Sequence, residues 1–209
     1  MFFPAIRLAS ALMVAIGLVA CGDGGSGNAQ KSAPAATAAP SPAPSGSAPA
    51  APAATSDAYA EAAKGSGFTA GNMMAVKQIY VFFDPQCPHC GHLWEAAKPL
   101  SNQLRMVWMP VGFIAPKSTT QGAALLASSD PVAAMDAHEN SLLAKQGGMI
   151  PPDNLPADLT EKVKANTKLW QKLGGEAVPF VVFKNPQTGQ AGTFAGSIDT
   201  EGLKKLAGI

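Results

Sequence analysis

One short stretch constrains the fold more than any other: a strand that leads directly into a pair of cysteines. Residues 79–83 are all β-branched or aromatic, which is typical of a central strand covered on both faces. The turn 84–86 follows, and Cys87 begins a predicted helix with Pro88 in its first turn, where a missing N–H costs nothing. A buried strand that turns straight into a helix predicts an α/β domain.

The flanking patterns predict the remaining elements of this domain, which we place at residues 56–209. The strand is predicted over 75–83, and Pro99 is expected to kink or end the helix after it. The buried face of that helix is predicted to comprise Cys90, Leu93, Trp94, Ala97 and Leu100. The other predicted elements are a helix at 57–64, a strand at 104–109, a mostly helical block at 118–173, strands at 180–183 and 191–195, and a helix at 200–207.

Two helix starts are predicted inside the helical block. Asp130 before Pro131 is a good N-cap and first-turn pair, and Asp158 with Glu161 resembles a capping box. The element order is then strand, helix, strand, helical block, two-stranded hairpin and helix. This order predicts an α/β fold with a helical insertion between the second predicted strand and the hairpin.

The first 20 residues predict an export signal. Arg7 precedes an apolar run at 8–20, which is too short to span a hydrocarbon core of about 30 Å and is typical of a signal peptide. The run ends in Leu-Val-Ala followed by Cys21, which matches the lipobox of bacterial lipoproteins. We therefore expect cleavage before Cys21 and a diacylglycerol on its sulfur. The alternative is an ordinary signal peptide with a chance cysteine at its end.

Composition explains the next segment and excludes one class of partner. Residues 21–55 consist almost entirely of Ala, Pro, Ser and Gly, so we expect a disordered tether between the anchor and the domain. The net charge is +1, or zero once Arg7 is removed with the signal peptide. No basic field of the kind that nucleic-acid binding needs is present. The expected location is the periplasmic side of a membrane, inner or outer.

The two remaining cysteines predict redox chemistry. An exported protein meets an oxidising compartment, yet a Cys87–Cys90 bridge closes too small a loop to stabilise a fold much. A helix N-terminus lowers the pKa of a thiol, and His89 adds a further donor or cation. We therefore predict that Cys87, at the exposed end, is the nucleophile and Cys90 the resolving thiol. The expected pKa of Cys87 lies in the lower half of the range from about 3.5 to 7.5.

The residues 81–90, with Trp94 and Pro99, resemble the thioredoxin-fold family of bacterial disulfide oxidoreductases. They are most similar to the catalytic domains of DsbG and DsbC, and the stretches 111–116 and 123–128 also resemble DsbG. The resemblance covers roughly residues 75–209 and implies a thioredoxin-like fold and a thiol:disulfide oxidoreductase that needs no cofactor. It implies cysteine-containing exported proteins as substrates and a membrane redox partner of the DsbD or DsbB type.

The resemblance also assigns roles to residues before the hairpin. It implies that Pro179 is cis and faces the cysteine pair, and that the backbone of Val178 docks substrate. The dipeptide Pro88-His89 and Val178 are instead similar to DsbA. DsbG and DsbC carry an N-terminal dimerisation domain, whereas only residues 56–74 separate the tether from the first predicted strand here, so we expect a monomer.

Two other classes of function remain open at this point. Cys87, Cys90, His89 and His92 together present the ligand types of a metal site, so a periplasmic metal-binding protein is one alternative. A redox-inert scaffold is the other. A c-type haem site is excluded because Gly91 follows Cys90 where that motif requires His. The direction of electron flow, oxidase, reductase or isomerase, is also open.

Overall fold

The computed structural model describes residues 56–209, and the predicted signal peptide, the lipid site at Cys21 and the tether lie outside them. The element bounds are α1 Ser56–Ala62, β1 Phe68–Gly71, β2 Gln78–Phe83, α2 Pro88–Ala97, β3 Arg105–Pro110, α3 Ser118–Ala127, α4 Pro131–Leu143, α5 Ala157–Lys172, β4 Phe180–Lys184, β5 Ala191–Ala195 and α6 Thr200–Ala207. A short 3₁₀ turn at Lys98–Leu100 contains Pro99 and ends α2, as predicted.

The five strands form one mixed sheet in the order β1-β3-β2-β4-β5. β2 lies at its centre, parallel to β3 and antiparallel to β4. Residues 79–83 are all buried, so the prediction of a central strand covered on both faces is confirmed. The α/β class and the helical insertion after β3 are confirmed as well.

Alternate side chains of the sheet contact helices on opposite faces. Tyr80 of β2 packs edge-on against Tyr59 of α1. Phe83, three residues further along β2, packs against Trp108 of β3, which in turn contacts Trp94 of α2. Because successive strand residues point to opposite faces, α1 and α2 lie on opposite sides of the sheet. The helix that carries the cysteines is therefore anchored by aromatic packing on one face.

Three sequence predictions differ from the structure. The central strand begins at Gln78 and not at residue 75. Residues 68–71, for which no strand was predicted, form the edge strand β1, which pairs antiparallel with β3. The strand has four residues, one of them Gly71, which is too few for its alternation to stand out in the sequence. The capping box at Asp158 and Glu161 is wrong, because α5 begins after Pro156 without a side-chain cap and Glu161 instead pairs with Lys164. The Asp130 cap is confirmed by the bond from Ala133 N to its Oδ1, 3.0 Å.

Among residues 56–209, no helix is both long enough and apolar enough to cross a lipid bilayer.

Candidate active site

Residues 84–90, which we call the cysteine junction, connect the end of β2 to the first turn of α2. Cys87 is the N-cap of α2, and its N–H donates to the carbonyl oxygen of Asp84 at 2.9 Å. The N–H of Cys90 donates to the carbonyl oxygen of Cys87 at 2.9 Å, which closes the first helical turn. The two sulfurs are not bonded to each other. The predicted placement of both cysteines at a helix start is confirmed.

The predicted exposure of Cys87 is only partly met. Cys87 is 3% exposed and Cys90 is fully buried, so the order of access is as predicted, but Cys87 is far less open than a helix end suggests. The loop that precedes β4 covers it. The Cys87 thiol donates to the carbonyl oxygen of Val178 across 3.4 Å, and the Val178–Pro179 peptide bond is cis, as the resemblance implies.

The sheet explains why this loop meets the nucleophile. Phe82 of β2 pairs with Phe180 of β4. The residues just before β4 therefore lie beside the residues just after β2, across an antiparallel pair. Val178 and Pro179 are both buried there. Two segments about 90 residues apart thus form one site, with the thiol on one side and a backbone carbonyl on the other.

The two thiols differ sharply in acidity. A hydrogen bond from the Cys90 thiol lowers the pKa of Cys87 to about 7, helped by the backbone N–H groups of Cys90 and His89, while burial and Asp84 oppose the shift. Burial raises the pKa of Cys90 well above its ordinary value. The lowered pKa of Cys87 agrees in direction with the prediction. The value for Cys87 lies above the predicted lower half of the range, because burial and Asp84 act against the helix start.

Asp84 organises the junction through its buried carboxylate. Its Oδ1 accepts the N–H of Gln86 at 2.8 Å. Its Oδ2 accepts the N–H groups of Phe113 and Ile114, at 2.7 and 2.8 Å. Asp84 therefore ties the turn before Cys87 to the loop after β3, where Phe113 and Ile114 are about half exposed, at 52% and 48%. The predicted turn at 84–86 is confirmed, and the bonds to the loop after β3 were not predicted.

His138 of α4 bonds to the backbone of the cysteine junction. It is fully buried, its Nε2 lies 2.6 Å from the carbonyl oxygen of Pro85, and its Nδ1 accepts the N–H of Met149 at 3.1 Å. An accepting Nδ1 requires a neutral ring with its proton on Nε2. Burial also lowers the pKa of His138, which agrees with that neutral form.

Glu139, the next residue of α4, is the least expected group near the cysteines. Its side chain is fully buried, and within residues 56–209 neither carboxyl oxygen has a hydrogen-bond partner. A Cβ at Gly91, the residue after Cys90, would lie 2.6 Å from Glu139 Oε2, so the glycine permits this close approach of α4 to α2. Burial, with lesser effects from Cys87, Glu95 and Asp84, raises the pKa of Glu139 to about 8.

The two histidines predicted from the motif lie at the surface. His89 and His92 are exposed on α2, with ring centroids 6.4 Å apart. His89 acts on Cys87 through its backbone N–H rather than its ring. Within residues 56–209, no three His, Cys, Asp or Glu side chains are arranged to hold a metal ion. The ligand types of the metal-binding alternative are thus present without the arrangement that a metal site requires.

Sequence patterns missed the residues that reach the junction from α4, although one signal was available. Met135, Glu139 and Leu142 recur at helical spacing, and all three are buried. A carboxylate on an apolar helical face is unusual. The spacing could therefore have indicated a buried Glu139, but nothing in it indicates that this face lies against the cysteine helix.

Two known proteins are similar to this chain in sequence. Thiol:disulfide interchange protein DsbG of Pseudomonas aeruginosa is 32% identical over 119 residues, which is 56% of this chain. DsbG of Escherichia coli K12 is 35% identical over 115 residues, which is 52% of this chain. These matches cover 46% and 44% of the relatives, so the chain spans less than half the length of either. No model of a protein family matches the chain.

Solved structures share the fold. The catalytic domain of Proteus mirabilis ScsC superposes with a TM-score of 0.57 at 19% identity, covering 73% of this chain and 96% of that one. A periplasmic thioredoxin-like protein from Salmonella enterica serovar Typhimurium superposes with a TM-score of 0.59 at 14% identity, covering 74% and 95%. A thioredoxin-like oxidoreductase from Silicibacter pomeroyi DSS-3 gives 0.54 at 18% identity, covering 73% and 95%. The chain therefore has a thioredoxin-like fold and is related in sequence to thiol:disulfide interchange proteins of the DsbG type.

Proposed function

We propose that this protein is an exported thiol:disulfide oxidoreductase that exchanges its Cys87–Cys90 pair with cysteine-containing proteins. The observation that carries the proposal is the Cys87 thiol itself. It belongs to the N-cap residue of a helix, has a pKa lowered to about 7, and lies 3.4 Å from the Val178 carbonyl beside the cis Pro179. A thiolate population at neutral pH is what an attacking thiol needs.

The first chemical step belongs to Cys87. Its thiolate attacks one sulfur of a substrate disulfide, a new S–S bond forms to Cys87, and the other substrate sulfur leaves as a thiolate. The backbone N–H groups of Cys90 and His89 stabilise the attacking charge. The contribution of His89 is its backbone N–H, since its ring is exposed. Pro88 supplies no N–H and starts the helix.

The second step belongs to Cys90. Its raised pKa keeps it protonated while Cys87 attacks. It then loses its proton, attacks the sulfur of Cys87 in the mixed disulfide, and releases the second substrate sulfur as a thiolate. The reverse sequence oxidises a dithiol substrate. Both directions use the same two residues, and the redox partner decides which one operates.

The loop before β4 is the proposed docking edge for substrate. In the free protein the Val178 carbonyl accepts the Cys87 thiol. An extended peptide that approaches Cys87 would offer its own N–H to that carbonyl, in the way that a strand adds to a sheet edge. Pro179 has no N–H of its own, so it leaves no donor unpaired at this point.

Trapping of mixed disulfides tests the proposal. Cys90→Ala should accumulate mixed disulfides with a peptide that contains a disulfide, because the second step is removed. Cys87→Ala should accumulate none, since Cys90 is fully buried. Non-reducing mass spectrometry of both variants decides the point. Equal trapping by both would contradict the assignment, and no trapping by either would reject the proposed activity.

We also propose that Cys21 carries a lipid that holds the protein at the periplasmic side of a membrane, with residues 21–55 as the tether. The proposal rests on the lipobox ending at Cys21. Cys21→Ser should release the protein from the membrane fraction and abolish incorporation of labelled fatty acid. Wild-type protein without fatty acid would reject it.

The redox partner is proposed to be a membrane protein of the DsbD or DsbB type. Alkylation trapping in cells separates the two: a mostly reduced Cys87–Cys90 pair indicates a reductant such as a DsbD-type protein, and a mostly oxidised pair indicates a DsbB-type oxidant. The domain is proposed to act as a monomer. Light scattering at dimer mass across a dilution series would contradict that state.

A further inference from the structure

The structure contains one buried acidic group that the proposed exchange chemistry does not use. Glu139 is fully buried, and neither of its carboxyl oxygens has a hydrogen-bond partner among the described residues. An ionised carboxylate without partners costs several kcal/mol to bury. The group is therefore held in its protonated form, against the helix that carries the cysteines.

The position of Glu139 links it to the sulfurs. Its Oε2 lies 2.6 Å from the point that a Cβ at Gly91 would occupy. Gly91 directly follows Cys90. The next nearest atoms to that point belong to the apolar side chain of Leu143, and among the described residues neither carboxyl oxygen has a hydrogen-bond partner. A charge on Cys87 raises the pKa of Glu139, and a charge on Glu139 raises the pKa of Cys90.

We propose that Glu139 binds the proton that accompanies reduction of the Cys87–Cys90 disulfide, as a positioning residue that acts through charge and does not touch substrate. This inference rests on the proposed function only in taking the cysteine pair as redox-active. The oxidised site carries no charge on Cys87, whereas the reduced site carries a thiolate. Glu139 therefore holds its proton more tightly in the reduced site than in the oxidised one.

No other charged group near Glu139 changes its charge when the cysteine pair is reduced. The titratable groups that act on Glu139 are Cys87, Glu95 and Asp84.

The charged groups on the surrounding elements are engaged elsewhere. On the same helix as Glu139, Asp136 bonds to Trp94 and Lys98. His138, also on that helix, is held neutral by its bonds to Pro85 and Met149. On α2, His89 and His92 are exposed. The other elements against α4, α3 and β1, contain no charged residue. Only the cysteine pair changes charge with redox state.

The balance with a dithiol reductant can be written out. Dithiothreitol gives two electrons to the disulfide, closes into its own ring disulfide and releases two protons. Cys90 takes one proton and Cys87 remains a thiolate. The other proton goes to Glu139 where Glu139 is ionised in the oxidised site, and to solvent where Glu139 is already neutral. The number of protons taken up per two electrons is thus larger, by up to one, at pH values where Glu139 is ionised in the oxidised site and protonated in the reduced site.

Redox titration of the full chain against dithiothreitol, at a series of pH values, tests the proposal. The number of protons per two electrons follows from the change of the midpoint with pH. Wild type should take up more protons than Glu139→Gln in an interval around pH 8, the value near which Glu139 titrates in the reduced site. The excess should vanish at lower and higher pH. Glu95→Gln is the matched control, because Glu95 is a neighbouring but exposed carboxylate paired with Lys98, and it should retain the excess.

The alternative outcomes are distinct. Equal proton uptake by wild type and Glu139→Gln at every pH would overturn the role of Glu139. A role in packing alone would shift stability and leave the proton count unchanged. If Glu139→Gln fails to fold, the infrared difference spectrum of wild type decides: the band of a protonated carboxyl should grow on reduction near pH 8, and its absence would overturn the proposal. A redox-active pair that fails to trap protein substrates would instead count against the proposed exchange function.

Discussion

The cysteine junction and the helical block 118–173 contribute to the same site in different ways. Within the junction the contacts are local: Asp84 bonds to the N–H of Gln86 two residues away. The block reaches the junction over long distances in sequence, 53 residues from His138 to Pro85 and 35 residues from Gln86 to Gln121. Local sequence therefore places the nucleophile, while a segment distant in sequence supplies the buried polar groups next to it.

The largest expected effect concerns the block. The stability of Glu139→Gln relative to wild type should increase as the pH rises. In folded wild type the Glu139 carboxyl stays neutral, whereas in the unfolded chain it ionises freely, so rising pH favours unfolding of wild type only. The sign follows from the raised pKa: the contribution of Glu139 to stability is complete below pH 4.5 and is lost progressively up to about pH 8. The difference between the variants should grow by up to about 1.4 kcal/mol per pH unit across that interval.

Urea denaturation at a series of pH values measures this difference. Glu95→Gln, an exposed carboxylate on the facing helix, is the control and should show little of it. If the difference in the free energy of unfolding between Glu139→Gln and wild type does not change with pH, Glu139 ionises normally. The helical block would then not control a buried proton beside the cysteines.

The next effect concerns the junction. Asp84→Ala should destabilise the protein by about 3 kcal/mol, because three backbone N–H groups lose their acceptor and each unsatisfied buried donor costs about 1 to 3 kcal/mol. Asp199→Ala is a matched control, since Asp199 caps α6 through a single exposed bond to the N–H of Gly202 and should cost about 1 kcal/mol. Equal losses in thermal or urea unfolding would show that Asp84 is no more than a local cap.

A smaller effect is expected at the contact between the two regions. His138→Leu should cost about 2 kcal/mol, because the Pro85 carbonyl and the Met149 N–H both lose a buried partner. His92→Leu, an exposed histidine on α2, should change stability by less than about 0.5 kcal/mol. If His138→Leu also leaves stability unchanged, the block does not hold the junction through this residue.

The smallest effect concerns the histidine inside the motif. His89→Ala should raise the pKa of Cys87 by less than about 0.7, since surface charge interactions are worth at most about 1 kcal/mol. The backbone N–H that stabilises the thiolate remains in this variant. Thiolate absorbance in Cys90→Ala, with and without His89→Ala, measures the change. A much larger rise would restore the His89 ring as the main source of acidity.

Sequence reasoning succeeded where the physical cause lies within a few residues. The buried run 79–83, Pro88 in the first helical turn and the bounds of β5 and α6 were all predictable, because periodicity, proline geometry and turn residues act locally. The same holds for the placement of Cys87 and Cys90 at the start of one helix, whereas their division of labour stays a prediction.

It failed where the cause is long-range. The edge strand Phe68–Gly71 exists because β3 offers it a partner, and a four-residue segment shows no period of its own. The pKa of Cys87 was placed too low because the burial of the thiol depends on the loop at Val178, about 90 residues away. The helical spacing of α4 could indicate that Glu139 is buried, but its place against the cysteine helix depends on how α4 packs on α2.

The two N–H bonds to Asp84 from the loop after β3 have a consequence for protein engineering. The carboxylate contacts the backbone of residues 113 and 114 and makes no demand on their side chains. Phe113 also packs on Trp170, with ring centroids 4.9 Å apart, whereas Ile114 has no such aromatic contact among the described residues. Position 114 can therefore be replaced by any residue except proline without removing a hydrogen bond. A library at that position would vary the exposed surface of the loop that bonds to Asp84, while the support of the cysteines stays intact.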